Sequence, residues 1–102
     1  MVLFLNSVNL DDVTTATTGI GVNTSQFTRK SVFVDVSVNT GAVTVSIEAS
    51  NDGQTWYSVD AKTYTATTGQ DIFSYASFFQ YMRTKTTTQS NSTVKTTFVG
   101  RE

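Results

Sequence analysis

The chain contains no cysteine, no histidine and no proline. Without cysteine the fold is not stapled by disulfides, and thiols give no clue to the redox compartment. With neither histidine nor cysteine, zinc and most transition-metal sites fall away, as do Ser-His-Asp and Cys-His catalysis by groups of this chain. Charge is scarce too: 15% of residues are charged and the formal net charge is -1. No field of one sign is available to hold a phosphate backbone or an anionic lipid surface, so neither nucleic acid nor membrane is expected as a partner. The lack of proline removes a residue that natural edge strands use against unwanted pairing, which suits an edge meant to be used. The apolar run Met1-Val2-Leu3-Phe4-Leu5 has no basic flank and turns polar at Asn6. It reads as neither a signal peptide nor a membrane span, pointing to a protein made in a cytoplasm and used there or in a particle assembled there.

What is present is a β composition. Aromatic residues make up 12% of the chain and about a fifth of it is threonine, beside many valines; such residues suit a pleated, half-buried surface. A chain of 102 residues supports one domain with one core. The strongest alternation is Val32-Phe33-Val34-Asp35-Val36-Ser37-Val38, with four valines on one face. Turn chemistry follows at Asn39-Thr40-Gly41-Ala42, and Val43, Val45 and Ile47 resume the inward face, so the two segments are expected to form an antiparallel hairpin. Short strands are expected again at Trp56 to Val59, Asp71 to Tyr75, Gln80 to Thr86 and Thr93 to Val99, with a turn at Gln89 to Ser92. No stretch carries a long helical period. Strands at this spacing predict an all-β antiparallel β-sandwich, jelly-roll or Ig-like, covering residues 19–102. Residues 1–18 are expected to form an N-terminal arm that includes a short strand from Val2 to Leu5 (Leu3, Phe4 and Leu5 among them) and is anchored by Leu10 and Val13.

The most informative segment is Ser50-Asn51-Asp52-Gly53-Gln54-Thr55-Trp56. Ser50 and Asp52 are suited to tying a tight turn to its own backbone, Gly53 supplies conformational freedom, and Thr55 leads to Trp56, the only tryptophan. Trp56 is expected to plug the end of the core. A calcium site built on Asn51, Asp52 and Asp60 lacks the six to eight oxygens that ion takes, so no metal and no cofactor is expected. Asp11 and Asp12 make no acid/base pair. Asp35 and Glu48 could face each other across the hairpin, but a domain this small offers no cleft, so no catalytic residue and no enzyme is expected. Trp56, Tyr57, Tyr64, Tyr75 and Tyr81 would serve a carbohydrate-binding module if they formed one platform. On the strand Gln80 to Thr86, Met82, Thr84 and Thr86 take the core side, while Tyr81, Arg83 and Lys85 share the outward face as candidate interface residues. Phe33 joins them as an outward aromatic, and Leu3, Phe4 and Leu5 as the apolar part of the arm.

The order of these elements, the S-x-D-G-x-x-W turn, the later Tyr81-Met82-Arg83 and the closing Phe98-Val99-Gly100 resemble small β-sandwich virion proteins of tailed bacteriophages. This sequence departs from that pattern by carrying threonine where similar proteins often have valine between Met82 and Thr86. The resemblance implies a non-enzymatic structural protein of the virion, a head decoration or cement protein that binds and stabilises the major capsid protein lattice, commonly as a homotrimer. The alternatives are a carbohydrate-binding module with a glycan ligand and a tail or baseplate adaptor. The expected partner is the major capsid protein or another virion protein, met through the arm and the Tyr81, Arg83, Lys85 face.

Overall fold

A computed structural model describes residues 3–102, so Val2 of the expected first strand lies outside the described residues. Six strands follow one another: β1 (Phe4–Val13), β2 (Val22–Asn23), β3 (Arg29–Ser50), β4 (Tyr57–Thr65), β5 (Gly69–Tyr75) and β6 (Tyr81–Arg101). The described residues contain no helix. The architecture is an all-β antiparallel sandwich, made by folding one hydrogen-bonded sheet over on itself.

The expected hairpin at Asn39 to Ala42 does not form. β3 runs unbroken for 22 residues and β6 for 21, and the two pair antiparallel from Arg29↔Arg101 to Ser50↔Tyr81. At about 3.3 Å per residue a straight strand of that length would extend roughly 70 Å. The longest dimension of the molecule is 43 Å, so the ribbon must bend. It bends where the two turn signals meet in register, Asn39 opposite Ser92 and Ala42 opposite Ser90, with register shifts between Val36 and Thr44. Thr88 and Asn91 there adopt positive φ of 52° and 45°. A Cβ on Gly41 would sit 2.4 Å from the Ser90 carbonyl oxygen, so only glycine lets the two backbones approach this closely. Asn39, buried, staples the corner: its amide donates to the Tyr64 and Thr67 carbonyls at 3.1 and 2.9 Å, and its oxygen accepts from Gly41 N–H at 3.2 Å.

The bend divides the ribbon into two layers. In the first, residues 93–101 of β6 and 29–36 of β3 lie between β1 and β5. In the second, residues 81–87 of β6 and 44–50 of β3 lie between β2 and β4. The bulges add one net residue to β3 at the corner, which moves its inward set from even positions (Val32, Val34, Val36) to odd ones (Val43, Val45, Ile47, Ala49). A one-residue offset exchanges the two faces of a strand, so Val38 points outward instead of joining the valine face. β6 keeps one parity throughout, burying Met82, Thr84, Thr86, Val94, Thr96 and Phe98. Burial of each large apolar side chain contributes on the order of 1.5–3 kcal/mol.

Residues 4–13 are not a detached arm. They form the edge strand β1 beside the last part of β6, and Leu5, Leu10 and Val13 turn inward. Two bulges, between Val8 and Leu10 and between Leu10 and Val13, break the spacing of these three residues. Beyond β1 the chain crosses to the second layer, where Thr18 bridges Lys85 and Thr86 N–H donates to the Thr17 carbonyl at 2.9 Å.

A buried polar thread ties the layers together. Asn9 Nδ2 donates to the Ile20 carbonyl at 2.8 Å, which fixes the amide's orientation. Its Oδ1 accepts from Thr84 N–H at 2.8 Å and from the Thr84 hydroxyl at 2.7 Å. The single Thr84 proton is thereby committed, so the 2.7 Å contact between the Thr84 and Thr96 hydroxyls runs from Thr96 to Thr84. Thr96 Oγ1 in turn accepts from Leu10 N–H at 3.0 Å. Threonine in place of valine on this strand therefore does not weaken the burial of the layer; Thr84 and Thr96 are wholly buried and hydrogen-bonded.

Thr84→Val keeps the volume and removes the hydroxyl, stranding the Thr96 proton. It should lower stability by about 1–3 kcal/mol, read as a lower urea midpoint at unchanged slope. An unchanged midpoint would mean that the thread does not hold the layers. Removing residues 1–13 strips Leu10 from the core and Asn9 from Thr84, and circular dichroism should show an unfolded chain; a folded truncation would mean that β1 is dispensable to the core.

Candidate functional site

The turn after β3 is closed by two side chains. The Ser50 hydroxyl accepts from Asp52 and Gly53 N–H at 3.2 and 2.9 Å and donates to Asp52 Oδ1 at 3.0 Å. Asp52 Oδ1 also accepts from Gln54 and Thr55 N–H, both at 2.8 Å. The Thr55 and Gln54 amides, with the Ser50 hydroxyl, hold the Asp52 carboxyl below its ordinary range. Gly53 has φ of 78° and lies over the Tyr81 ring, which an added Cβ would meet at 3.7 Å.

Trp56 is not a core plug. It lies outside the core cluster, half-buried on the outward side of the second layer. The Arg83 guanidinium carbon sits 4.2 Å from its ring centroid, a cation–π distance. A Cβ on Gly21 would meet the far edge of its six-membered ring at 2.9 Å, so the connection between β1 and β2 also packs on the indole. Arg83 Nε donates to Glu48 Oε1 at 2.8 Å, and Lys85 Nζ lies 3.3 Å from Glu48 Oε2. Glu48 is buried beneath both cations. The expected Tyr81, Arg83, Lys85 face is thus already engaged by its own chain: Tyr81 under the turn, Arg83 between Trp56 and Glu48, Lys85 against Glu48.

The candidate interface residues divide between two opposite faces. Phe33 and Phe4 lie on the outward side of the first layer, with Leu3 exposed beside them, whereas Leu5 turns to the core. Around Phe33 the register builds a four-stranded grid. One row is Phe4, Arg101, Arg29; the next is Asn6, Val99, Ser31, Ser74; the third is Val8, Thr97, Phe33, Ile72; the fourth holds Lys95, Asp35 and Gln70. Phe4, Val8, Phe33 and Ile72 remain 75, 47, 43 and 61% exposed. The sequence reading missed Val8, Val99, Ile72 and the two arginines. Alternation in β5 could have found Ile72, because Phe73 and Tyr75 flank it on the inward parity.

No other constellation assembles. Asp35 and Glu48 lie on the outward sides of different layers and do not face each other. Tyr75 donates to Asp60, and Tyr64 and Lys62 donate to Asp71. These contacts latch β4 to β5 across the open side of the sandwich. Burial first, and then the carboxylate beside each, pushes both phenols well above their ordinary range. The Tyr64 hydroxyl and then Lys62 hold the Asp71 carboxyl below its usual range. Lys30 is buried, which lowers its pKa; its ammonium donates to the Phe27 carbonyl at 2.8 Å. With Tyr64 buried, Tyr75 engaged and Trp56 covered by Arg83, the aromatic residues do not form one platform for a sugar. Among the described residues no cluster of three or more acidic side chains that could hold a metal exists.

The depressed Asp52 and Asp71 carboxyls fix a pH response. A carboxyl lowered on folding adds stability that is present above its unfolded pKa and lost as the pH falls through the folded value. The urea midpoint should therefore drop below about pH 4, and Asp52→Asn, which keeps the acceptor oxygen and removes the charge, should flatten that drop. An identical acid limb in the variant would remove Asp52 from the account.

No family model matches the chain, and no curated protein does. Solved structures do. The SPBc2 prophage-derived protein YomS superposes with a TM-score of 0.73 at 9% identity, over 100% of this chain and 96% of that one. PirA gives 0.53 at 13% identity, covering 97% and 91% of the two chains. A structure of Bacillus endospore appendages, described as disulfide-linked pili, gives 0.51 at 18% identity over 99% and 83%. At these identities the likeness is one of fold, and the fold this chain shares over nearly its whole length includes that of a prophage-derived protein.

Proposed function

We propose that this chain is a non-enzymatic structural protein of a virus particle, a head decoration or cement protein that seats on the major capsid protein lattice and stabilises it. The observation that carries the reading is the outward face of the first layer, where Phe4, Val8, Phe33 and Ile72 stand uncovered on four paired strands. Contiguous exposed apolar patches mark protein contacts, and a rigid sheet presents such a patch without an ordering cost at binding. The fold shared with a prophage-derived protein supports a phage setting. The attachment element is this face and not a free arm, because β1 is hydrogen-bonded into the sheet. A homo-oligomer, a trimer by the resemblance, would present several copies of the face to the lattice. A tail or baseplate adaptor would use the same surface and differ in its location on the particle.

Phe33→Thr combined with Ile72→Thr removes the apolar centre while keeping strand-compatible residues. At exposed positions the change should alter stability by no more than about 0.5 kcal/mol each. Cosedimentation with particles assembled without this protein should fall by roughly tenfold or more. Undiminished binding by the folded variant would overturn the assignment of the face, and absence of the wild-type protein from virions would overturn the function.

A further inference from the structure

Arg29 and Arg101 are direct cross-strand partners at one end of this same face. Both are exposed, and among the described residues neither enters an ion pair. Like charges directly opposite each other on adjacent strands destabilise a sheet. Among the described residues no acid pairs with them; Glu102, the adjacent acid, has its Oε1 3.4 Å from Leu3 N–H on the β1 side. Beside the arginines lies a recess of about 660 Å³. Phe4 and Val99 give it apolar walls, and the Ser31 and Ser74 hydroxyls, 2.9 Å apart, give it polar ones.

We infer that the Arg29 and Arg101 recess receives an acidic side chain, flanked by apolar groups, from the protein that docks on this face. The inference rests on the reading of the face as the virion-binding surface and names the chemistry of what it binds. Two guanidinium forks match a carboxylate that accepts from both, and its charge cancels the repulsion that the isolated subunit carries. The apolar row beside it then buries the flanking groups of the partner. Charge complementarity of this kind raises specificity and association rate and makes binding salt-dependent.

Arg29→Glu separates this role from a structural one. It replaces a repulsive cross-strand pair by an attractive one, so the melting temperature of the isolated protein should rise by roughly 2–6 °C. The same variant should bind particles assembled without this chain at least roughly tenfold more weakly, with a shallower dependence on sodium chloride than the wild type. A melting temperature that does not rise overturns the inference, because the arginines are then not held against their own repulsion. Wild-type binding by Arg29→Glu overturns it as well. If the Phe33→Thr, Ile72→Thr protein loses binding while Arg29→Glu retains it, the face is right and the carboxylate is wrong. If the wild type itself fails to cosediment, the functional reading and the inference both fail.

Discussion

The antiparallel ladder between β3 and β6 is the constraint on which everything else depends. Both strands are central in both layers, so each edge strand takes its place by pairing with one of them. A sandwich made of two separate sheets needs its layers held together by side-chain packing alone. Here the backbone itself passes from one layer to the other, and the corner carries the conformational cost. That cost is concentrated in Gly41, Thr88 and Asn91, and it is offset by the Asn39 hydrogen bonds and the valine core on either side.

The same ladder explains why the surface divides into a closed face and an open one. On the second layer, Glu48 beneath Arg83 and Lys85, with Trp56 stacked above, satisfies the outward charges internally. On the first layer nothing among the described residues folds back. Its grid keeps aromatic and branched side chains in solvent, and its two arginines stand together without a counter-ion among the described residues. The placement of the 50–56 turn and the 14–22 crossing on the other layer leaves this face open.

The period-two pattern made the strands and their faces legible within residues 32–36, 43–47 and 82–86, and the lack of any helical period gave the all-β class. What the pattern could not distinguish was a reversal from a bend. Asn39-Thr40-Gly41-Ala42 carries the chemistry of a turn, but its effect depends on Gln89 to Ser92 lying opposite it, some fifty residues later. The start of β1 was legible, but its full length was not, because two bulges set Leu5, Leu10 and Val13 at unequal spacing and because Asn9 finds its partner in Thr84. Trp56 was misplaced for the same reason: its neighbours Arg83 and Gly21 come from distant strands and loops. The Ser50 to Thr55 turn, whose bonds are all local, could be read directly. Among the interface residues, sequence picked out Phe33 by its outward parity and Phe4 as part of the apolar arm, but only the register brings Arg29 beside Arg101.

The central position of β6 also governs when the molecule can come into being. It is translated after every strand that it joins, and its partners reach back to Phe4 at the other end of the chain. Neither layer can close while β6 is still inside the ribosome, although β4 and β5 can already pair with β3. Closure of the two layers is therefore a late step driven by contacts of high sequence separation, which are slow to form. Until β6 docks, the apolar faces of β3 stay open to chaperones and to aggregation.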